Sequence, residues 1–466
     1  MLVFIYKFKL YCSIINMLIF IINGGFQMKK QEKIKLNLDS LCLYKGIFEE
    51  GVGGKFSTLI NKISKNKSIN ECIKAYNEFT YELFSKSKNL SFKEAIVEEI
   101  LLAHNPFNVG LEVNGEIPDF TILGIKNELK ALGEIVSLNS KDIKKILVDS
   151  YKESEEIKER INSLIDWSID EKEYLAKTVM PFEKTKEALM NSNDWSLCTE
   201  NLIDYHKNNG TGRAPAYSAF VWERFENDDE GHLREIKNPD PIKLSDLIGY
   251  EMQKEEILDN TEHFLKGLPA NNLLLYGARG TGKSSTVKAV LNEYYDQGLR
   301  LIEVDKEQLS DFTRIIRLLR HKKQKFIIFV DDLVFQENEA SYSALKTILE
   351  GRVENRPDNI LIYATTNRRH LIQEKFSNED EIHSKDTREE QLSLADRFGI
   401  TISFFTPNQN EFLNIVDGIV ESKGLEVDKE YLHSEALKWE KWHNGRSPRS
   451  ARQFINWLEA TLKSQK

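Results

Sequence analysis

The chain has 466 residues, of which 41% are hydrophobic and 29% are charged. This length and composition allow two or three folded domains with substantial cores. The formal net charge of -9 and the pI near 5.7 exclude a protein that attracts nucleic acid through its overall charge. The four cysteines, Cys12, Cys42, Cys72 and Cys198, form no CxxC pair, which argues against a zinc site or disulfide framework and favours a cytoplasmic location.

An apolar stretch near the N-terminus has three interpretations. Residues 10–22 are strongly apolar and follow Lys7 and Lys9, as in a signal peptide or a short membrane anchor. The stretch is too short to span a bilayer comfortably, and no small-residue cleavage site follows it. Residues 23–27 contain two adjacent glycines whose codons can spell a ribosome-binding sequence. We therefore favour a protein that starts at Met28, with residues 1–27 as a doubtful extension and no stable membrane insertion.

Residues 28–205 are predicted to form a mainly α-helical N-terminal domain. Apolar side chains recur on one helix face at Phe56, Leu59, Ile60 and Ile63. Ser91 and Glu94 have the spacing of a capping box that opens another helix. A further helix begins near Ile143, and we expect the charged stretch up to Arg160 to continue it. We expect these stripes to pack in a core rather than to form a partner-binding groove, and this half of the chain suggests no chemistry.

Residues 206–243 are predicted to connect this helical domain to a second fold. Residues 219–223 and 233–237 can pair as a β-hairpin across residues 227–231. From residue 244 onward strand and helix signals alternate, which is typical of a parallel sheet covered by helices. The five predicted strands are residues 272–276, 299–305, 326–331, 359–364 and 400–405.

A phosphate-binding loop follows the first of these strands. Residues 277–284 read Gly-Ala-Arg-Gly-Thr-Gly-Lys-Ser, and a helix-like stretch comes next. The strand and helix favour this interpretation over a glycine-rich turn that binds nothing, because converging N–H groups and the helix dipole attract an anion. Lys283 is expected to reach the β- and γ-phosphates, and Ser284 to ligate Mg²⁺. The residues expected to contact a nucleotide here are Gly277, Ala278, Arg279, Gly280, Thr281, Gly282, Lys283, Ser284 and Ser285.

Polar side chains follow two later strands. Asp331 and Asp332 come at the end of an apolar run, at the edge where ligands bind in open α/β sheets. Asp331 is expected to hold Mg²⁺ through water, and Asp332 to orient and polarise an attacking water. The alternative for an isolated pair is a loop or a helix cap. Asn367 follows the next strand, where it can hydrogen-bond the γ-phosphate or the water, although a Thr-Thr-Asn run alone indicates only a turn.

The order of these segments resembles that of AAA+ ATPases. The segments concerned are residues 247–250, the phosphate loop, the Asp331-Asp332 strand end, and residues 364–367, 394–399 and 447–449. The last two also resemble those of the bacterial Holliday-junction branch-migration motor. A closer resemblance is to a bacterial family of AAA+ ATP-binding proteins, domain of unknown function 815, and it extends from about Tyr205 to the C-terminus. It depends on residues 267–272, 280–285, 356–359 and 367–371.

The resemblance implies an α/β fold after the helical domain. A parallel five-stranded sheet would occupy the AAA+ core at residues 244–407, and a small helical lid would occupy residues 408–466. The resemblance also implies that Leu247, Ile248 and Gly249 contact adenine. Asn367 would be the sensor beside the γ-phosphate.

Two arginines have implied roles. Arg397 would be an arginine finger, and its action on a neighbouring subunit's nucleotide would require a homo-oligomer. Arg449 would be a second sensor on the lid, although Arg446 and Arg452 compete for that role. A guanidinium suits both positions because it is permanently charged and grips two phosphate oxygens. The alternative for Arg397 is a surface or salt-bridged arginine.

The predicted function is Mg²⁺-dependent ATP binding and hydrolysis that moves an unidentified protein or nucleic-acid client. Most AAA+ motors have glutamate where this chain has Asp332, so hydrolysis is expected to be slow or the site to act mainly as a switch. The alternative is therefore a nucleotide-controlled interaction module with negligible turnover, and a small-molecule kinase is a weaker third. Residues 377–390 are interpreted as a solvated acidic loop rather than a metal cluster.

Overall fold

A computed structural model describes most of the chain. The described residues are 29–86, 91–151, 154–167, 180–224, 231–336, 345–346, 349, 357–367, 372–373, 397–443 and 445–464. The predicted N-terminal extension at residues 1–27 and the acidic stretch at residues 377–390 lie outside them. Among the described residues, no helix has both the length and the apolar character that crossing a lipid bilayer requires.

The chain divides into two compact units. The first falls within Met1–Phe107, Ile117–Tyr174 and Lys186–Leu202, and the second within Asn108–Glu116, Leu175–Thr185 and Ile203–Lys466. The predicted domain boundaries at residues 205, 243 and 407 stay predictions.

The N-terminal part of the chain is helical over the described residues, as predicted. Its helices are α1 (Lys30–Asp39), α2 (Gly51–Ser64), α3 (Ile69–Lys86), α4 (Phe92–Leu102), α5 (Pro106–Asn114), α6 (Asp119–Val136), α7 (Ser140–Ser150), α8 (Glu155–Asn162), α9 (Met180–Asn191) and α10 (Thr199–Asn209).

The predicted apolar stripe is confirmed, and of the predicted capping box the bond to Ser91 is present. The apolar stripe of α2 is buried, and its Phe56 ring lies 4.5 Å from the ring of Phe92 between centroids. Ser91 Oγ accepts the backbone N–H of Glu94 at 3.1 Å and so caps α4. The stripe therefore packs into an aromatic core, as expected.

The predicted continuation of one helix up to Arg160 is wrong. Helix α7 ends at Ser150, because Tyr151 adopts an extended backbone with φ -116° and ψ 107°. A separate helix, α8, begins at Glu155 after Ser154, which also has an extended backbone. The charged stretch therefore belongs to a second short helix rather than to the end of α7.

The second unit contains a sheet built from seven strands among the described residues, rather than the five predicted. Its strands are β1 (Ala219–Glu223), β2 (His232–Glu235), β3 (Asn272–Gly277), β4 (Leu299–Glu303), β5 (Lys325–Val330), β7 (Ile360–Thr366) and β9 (Gly399–Phe404). Two short strands, β6 (Phe335–Gln336) and β8 (Ile372–Gln373), pair separately. The order across the main sheet is β2-β1-β4-β5-β7-β3-β9.

The five predicted strands lie parallel and next to one another in this sheet, and the predicted hairpin extends it with β1 and β2. Strand β1 pairs antiparallel with β2 and parallel with β4, with Phe220 opposite Ile302. The physical reason is burial, because Ala219, Phe220 and Trp222 are at most 3% exposed and need cover on both faces. The hairpin is therefore part of the sheet.

Helices cover both faces of the sheet and form a lid. Among the described residues they include α11 (Glu251–Leu265), α12 (Lys283–Tyr294), α13 (Phe312–Leu319), α14 (Gln409–Lys423), α15 (Lys429–Trp442) and α16 (Pro448–Ser464). The last three share an apolar core of their own, which includes Phe412, Val416 and Phe454. Asn408 caps α14 by accepting the N–H of Glu411 at 3.0 Å.

Candidate functional site

The loop between β3 and α12 has the backbone conformation that its glycines predict. Gly280 and Gly282 have φ angles of 77° and 99°, which favour glycine. At Gly277 a Cβ would lie 2.0 Å from the carbonyl oxygen of Phe404 on β9, so no larger residue fits. The loop then enters α12, whose first N–H groups lack intrahelical partners and form an anion site.

Lys283 is buried, with 5% exposure, at the start of α12. Its Nζ donates to the carbonyl oxygens of Gly277 and Ala278 at 2.9 and 2.8 Å, and to Asn367 Oδ1 at 3.0 Å. Burial lowers the pKa of Lys283 to about 8, although the negative charges of Asp331 and Asp332 act to raise it. The structure therefore joins the predicted phosphate-binding lysine to the predicted sensor residue.

Ser284 and Asp331, the two predicted oxygen ligands of Mg²⁺, lie side by side. Ser284 Oγ lies 2.6 Å from Asp331 Oδ1 and donates to it. Two oxygen ligands at right angles around Mg²⁺ lie about 3 Å apart, since each Mg–O distance is about 2.1 Å. The Ser284 hydroxyl and the Asp331 carboxylate thus lie close enough together to hold one ion, directly or through its water, and these residues fit Mg²⁺. Among the described residues there is no cluster of three or more His, Cys, Asp or Glu that could hold a metal.

Asp332 follows in an unusual backbone conformation. Its φ of 50° lies in the left-handed region, where few residues other than glycine are found. Its N–H donates to Thr365 Oγ1 at 3.0 Å, and its Oδ1 accepts from Asn367 Nδ2 at 2.6 Å. Asn367 therefore links Lys283 to Asp332 through the two ends of one amide.

These groups line a cleft of about 680 Å³ whose other end is more apolar. That end is formed by Leu247, Ile248, Gly249, Tyr250, Ile415 and Ile419. The side chain of Ile248 packs against the lid core, where Gly418 leaves room for it. All of the predicted adenine contacts, Leu247, Ile248 and Gly249, line this cleft, so an apolar base and a polyphosphate both find a matching surface.

The lid arginines differ in their positions. Arg449 lines the cleft, and its backbone N–H donates to Gly280 O at 3.1 Å, which ties α16 to the phosphate loop. Arg452 also lines the cleft and donates from Nη2 to the carbonyl of Asp246 at 2.7 Å. Arg446 instead pairs with Glu440, with Nε 2.6 Å from Oε2. Position thus favours Arg449 and Arg452 over Arg446 for a contact with nucleotide.

Arg397 lies at the opposite end of the strands from the phosphate loop. It precedes Gly399, which pairs with Asn272 at the start of β3, whereas the phosphate loop leaves the other end of that strand. Five strand residues span about 17 Å, so Arg397 is far from its own cleft. The structure does not bring it together with the other predicted site residues.

Sequence reasoning assigned no role to Thr365. Its Oγ1 donates to Asp331 Oδ1 and accepts the N–H of Asp332, and its side chain is 2% exposed. A buried threonine at the end of a strand beside two carboxylates was the available signal. The direction of its hydroxyl depends on the register between β5 and β7, which pairs Val330 with Ala364.

The chain matches one family model and is similar to several known proteins. Residues 215–462 match the family model described as Protein of unknown function (DUF815). The replication factor C large subunit of Staphylothermus marinus is 32% identical over 117 residues, which cover 23% of this chain and 27% of that protein. The glycine betaine transport ATP-binding protein of Bacillus subtilis is 29% identical over 183 residues, covering 32% of this chain and 44% of that protein. A RuvB variant structure from Thermotoga maritima aligns at a TM-score of 0.35 and 18% identity, over 48% of this chain and 66% of that one.

The sheet, the phosphate loop and the helical lid define an AAA+ module of the P-loop ATPase class. Within that class, the chain belongs to the family of proteins of unknown function DUF815, whose model covers more than half of its length. It spans less than half of either curated relative named above. The relatives support an ATP-binding protein of the AAA+ superfamily.

Proposed function

We propose that this chain binds ATP with Mg²⁺ in the cleft between the phosphate loop and the lid, and that it hydrolyses the nucleotide. The observation that carries the proposal is the lining of one 680 Å³ cleft. Residues 279–284 of the phosphate loop, both aspartates, Asn367 and Arg449 all line it. A relative whose name includes ATP binding supports the choice of nucleotide.

Each group in the cleft has a task that its chemistry suits. The N–H groups at the start of α12 and the Lys283 ammonium bind the phosphates. Ser284 and Asp331 would hold Mg²⁺, which neutralises phosphate charge when bound. Asp332 orients and polarises the attacking water, and Asn367 contacts that water or the γ-phosphate.

The lid would transmit hydrolysis to the rest of the molecule. Arg449 lies on α16, and its backbone N–H donates to Gly280 of the phosphate loop. A change at the phosphates therefore alters the position of α16. Ile248 joins the base-binding end to the lid core. Loss of the γ-phosphate thus biases lid position, and an unidentified protein or nucleic-acid client would respond. A stimulation of turnover by DNA favours a nucleic-acid client, and a flat response disfavours it.

The test compares phosphate release and nucleotide binding in wild type, Lys283→Ala and Lys288→Ala. Lys288 lies on the same helix but does not line the cleft. We expect Lys283→Ala to lose binding and hydrolysis by about a hundredfold or more, since it removes a charge-assisted contact to phosphate. Lys288→Ala is expected to behave as wild type. Equal behaviour of the two variants contradicts the proposal.

A second candidate function is a nucleotide-controlled interaction module with negligible turnover. The observation that favours it is the short Asp332 side chain, whose Oδ1 accepts a hydrogen bond from Asn367. A carboxylate held there reaches less far than a glutamate. Tight Mg²⁺–ATP binding with no phosphate release supports this switch, and steady release that Asp332→Asn abolishes supports the ATPase.

A further inference from the structure

Thr365 contacts both aspartates of the cleft with a single hydroxyl. Its Oγ1 donates to Asp331 Oδ1 and accepts the backbone N–H of Asp332 at 3.0 Å. A hydroxyl has one hydrogen and two lone pairs, so both contacts form at once. The side chain is 2% exposed, and water therefore competes little for these bonds.

The hydrogen bonds on Asp331 converge on one of its oxygens. Oδ1 accepts from Thr365 Oγ1, from Ser284 Oγ at 2.6 Å and from the N–H of Asp332 at 3.2 Å. Within the described part of the chain, no hydrogen bond reaches Oδ2. This pattern fixes the carboxylate plane and leaves Oδ2 available for a cation or its water shell.

Thr365 also supports the turn that carries Asp332. The N–H of Leu333 donates to the carbonyl oxygen of Thr365 at 2.7 Å, next to the bond from the N–H of Asp332. These two bonds hold Asp332 at its left-handed φ of 50°. The direction of the Asp332 carboxylate therefore depends on Thr365.

We propose that Thr365 is a positioning residue that sets Asp331 for Mg²⁺ and Asp332 for the attacking water. The inference rests on the proposed function, because it concerns the same cleft. Partners that orient a metal ligand commonly change metal affinity by about 10- to 100-fold when they are removed. Thr365→Val keeps the branched shape and removes the hydroxyl, whereas Thr365→Ser keeps the hydroxyl.

The experiment titrates MgCl₂ into a mixture of the protein and a fluorescent ADP analogue and records the Mg²⁺ concentration at the midpoint of binding. The affinity of the protein for the same analogue is measured separately in EDTA. For Thr365→Val we expect the Mg²⁺ midpoint to rise by about tenfold or more, with affinity in EDTA within about twofold. Thr365→Ser is expected to stay within about threefold of wild type, because its oxygen can make both bonds. Thr401→Val, at an exposed threonine of β9, serves as the control and is expected to change neither value.

An unchanged Mg²⁺ midpoint in Thr365→Val overturns the inference. An equally large loss of affinity for the analogue in EDTA also overturns it, because such a loss indicates general damage to the nucleotide site. If the valine variant does not fold, Thr365→Cys replaces it, since a thiol is a weak donor and acceptor. A cysteine variant with the wild-type midpoint then overturns the inference. Failure of wild type to bind ADP under either condition contradicts the proposed function instead.

Discussion

The ammonium group of Lys283 donates hydrogen bonds to three oxygen atoms, but its burial disfavours the charged form. Burial lowers its pKa to about 8, and Arg449 and Arg279 add to the shift, although two aspartates oppose it. A bound polyphosphate stabilises the ammonium form, so binding must take up a proton wherever the free lysine is neutral. Nucleotide affinity is thereby linked to pH.

This linkage gives a prediction for alkaline pH. With a pKa of about 8 in the free protein, the charged fraction of Lys283 falls about tenfold between roughly pH 7 and pH 9. The dissociation constant of ATP should rise by about the same factor over that range. Lys283→Arg binds more weakly but stays charged, so its affinity should not depend on pH in this way. Fluorescence titration measures the affinity for ATP at each pH. A wild-type affinity that does not change between these pH values contradicts the assignment of Lys283 as a phosphate-binding lysine.

For single residues, the sequence predicted the positions of neighbours in one loop better than contacts between residues on different strands. Lys283 and Ser284 belong to one loop whose spacing determines where both lie. Asp331 could be placed because it ends a recognisable strand. The contacts of Thr365 could not, because they depend on the register between two strands and on one rotamer.

At the scale of elements, the junction of β3 and β9 positions the phosphate loop. The N–H of Ala278 donates to Phe404 O at 3.0 Å, and Gly277 lies against the same carbonyl. The φ of Gly277, 138°, is a second reason why this position requires glycine. The loop therefore starts from a fixed point on the sheet edge.

A pair of glycine substitutions tests this junction. Gly298 also has a positive φ, but a Cβ there meets nothing within 4 Å. Gly298→Ala should cost only the conformational strain, about 1–2 kcal/mol of unfolding free energy. Gly277→Ala should cost about 3–5 kcal/mol, because a steric clash adds to that strain. Urea titrations measure both variants, and equal losses argue against a tight junction.

The strands of the parallel sheet followed from their apolar runs, but the place of the hairpin did not. Strand β4 ends at Glu303 rather than at the predicted residue 305, because Asp305 turns outward and accepts the N–H of Glu307 at 2.9 Å. Pairing of β1 with β4 joins Phe220 to Ile302. Local periodicity contains no information on such distant pairing.

At the scale of the whole molecule, Arg397 suggests an assembly. It lies at the end of the strands away from the phosphate loop of its own cleft, so a contact with nucleotide requires a neighbouring copy. We therefore propose a head-to-tail homo-oligomer in which one subunit's Arg397 completes the next subunit's site.

Subunit mixing tests this arrangement. Arg397→Ala should bind ATP but lose hydrolysis, and Lys283→Ala should lose both. In an equal mixture, about a quarter of the sites combine an intact cleft with a neighbour's arginine, so about that fraction of wild-type activity should return. A mixture that stays inactive, or Arg397→Ala that hydrolyses normally at every protein concentration, rules out the arginine finger.

The most direct test of the central claim is calorimetry of ATP binding to the folded wild-type protein, with and without Mg²⁺. We expect one nucleotide per chain and an affinity that Mg²⁺ strengthens, because the N–H groups, Lys283 and the Ser284–Asp331 pair act on the same triphosphate. Absence of binding by both ATP and ADP in the presence of Mg²⁺ would contradict the account.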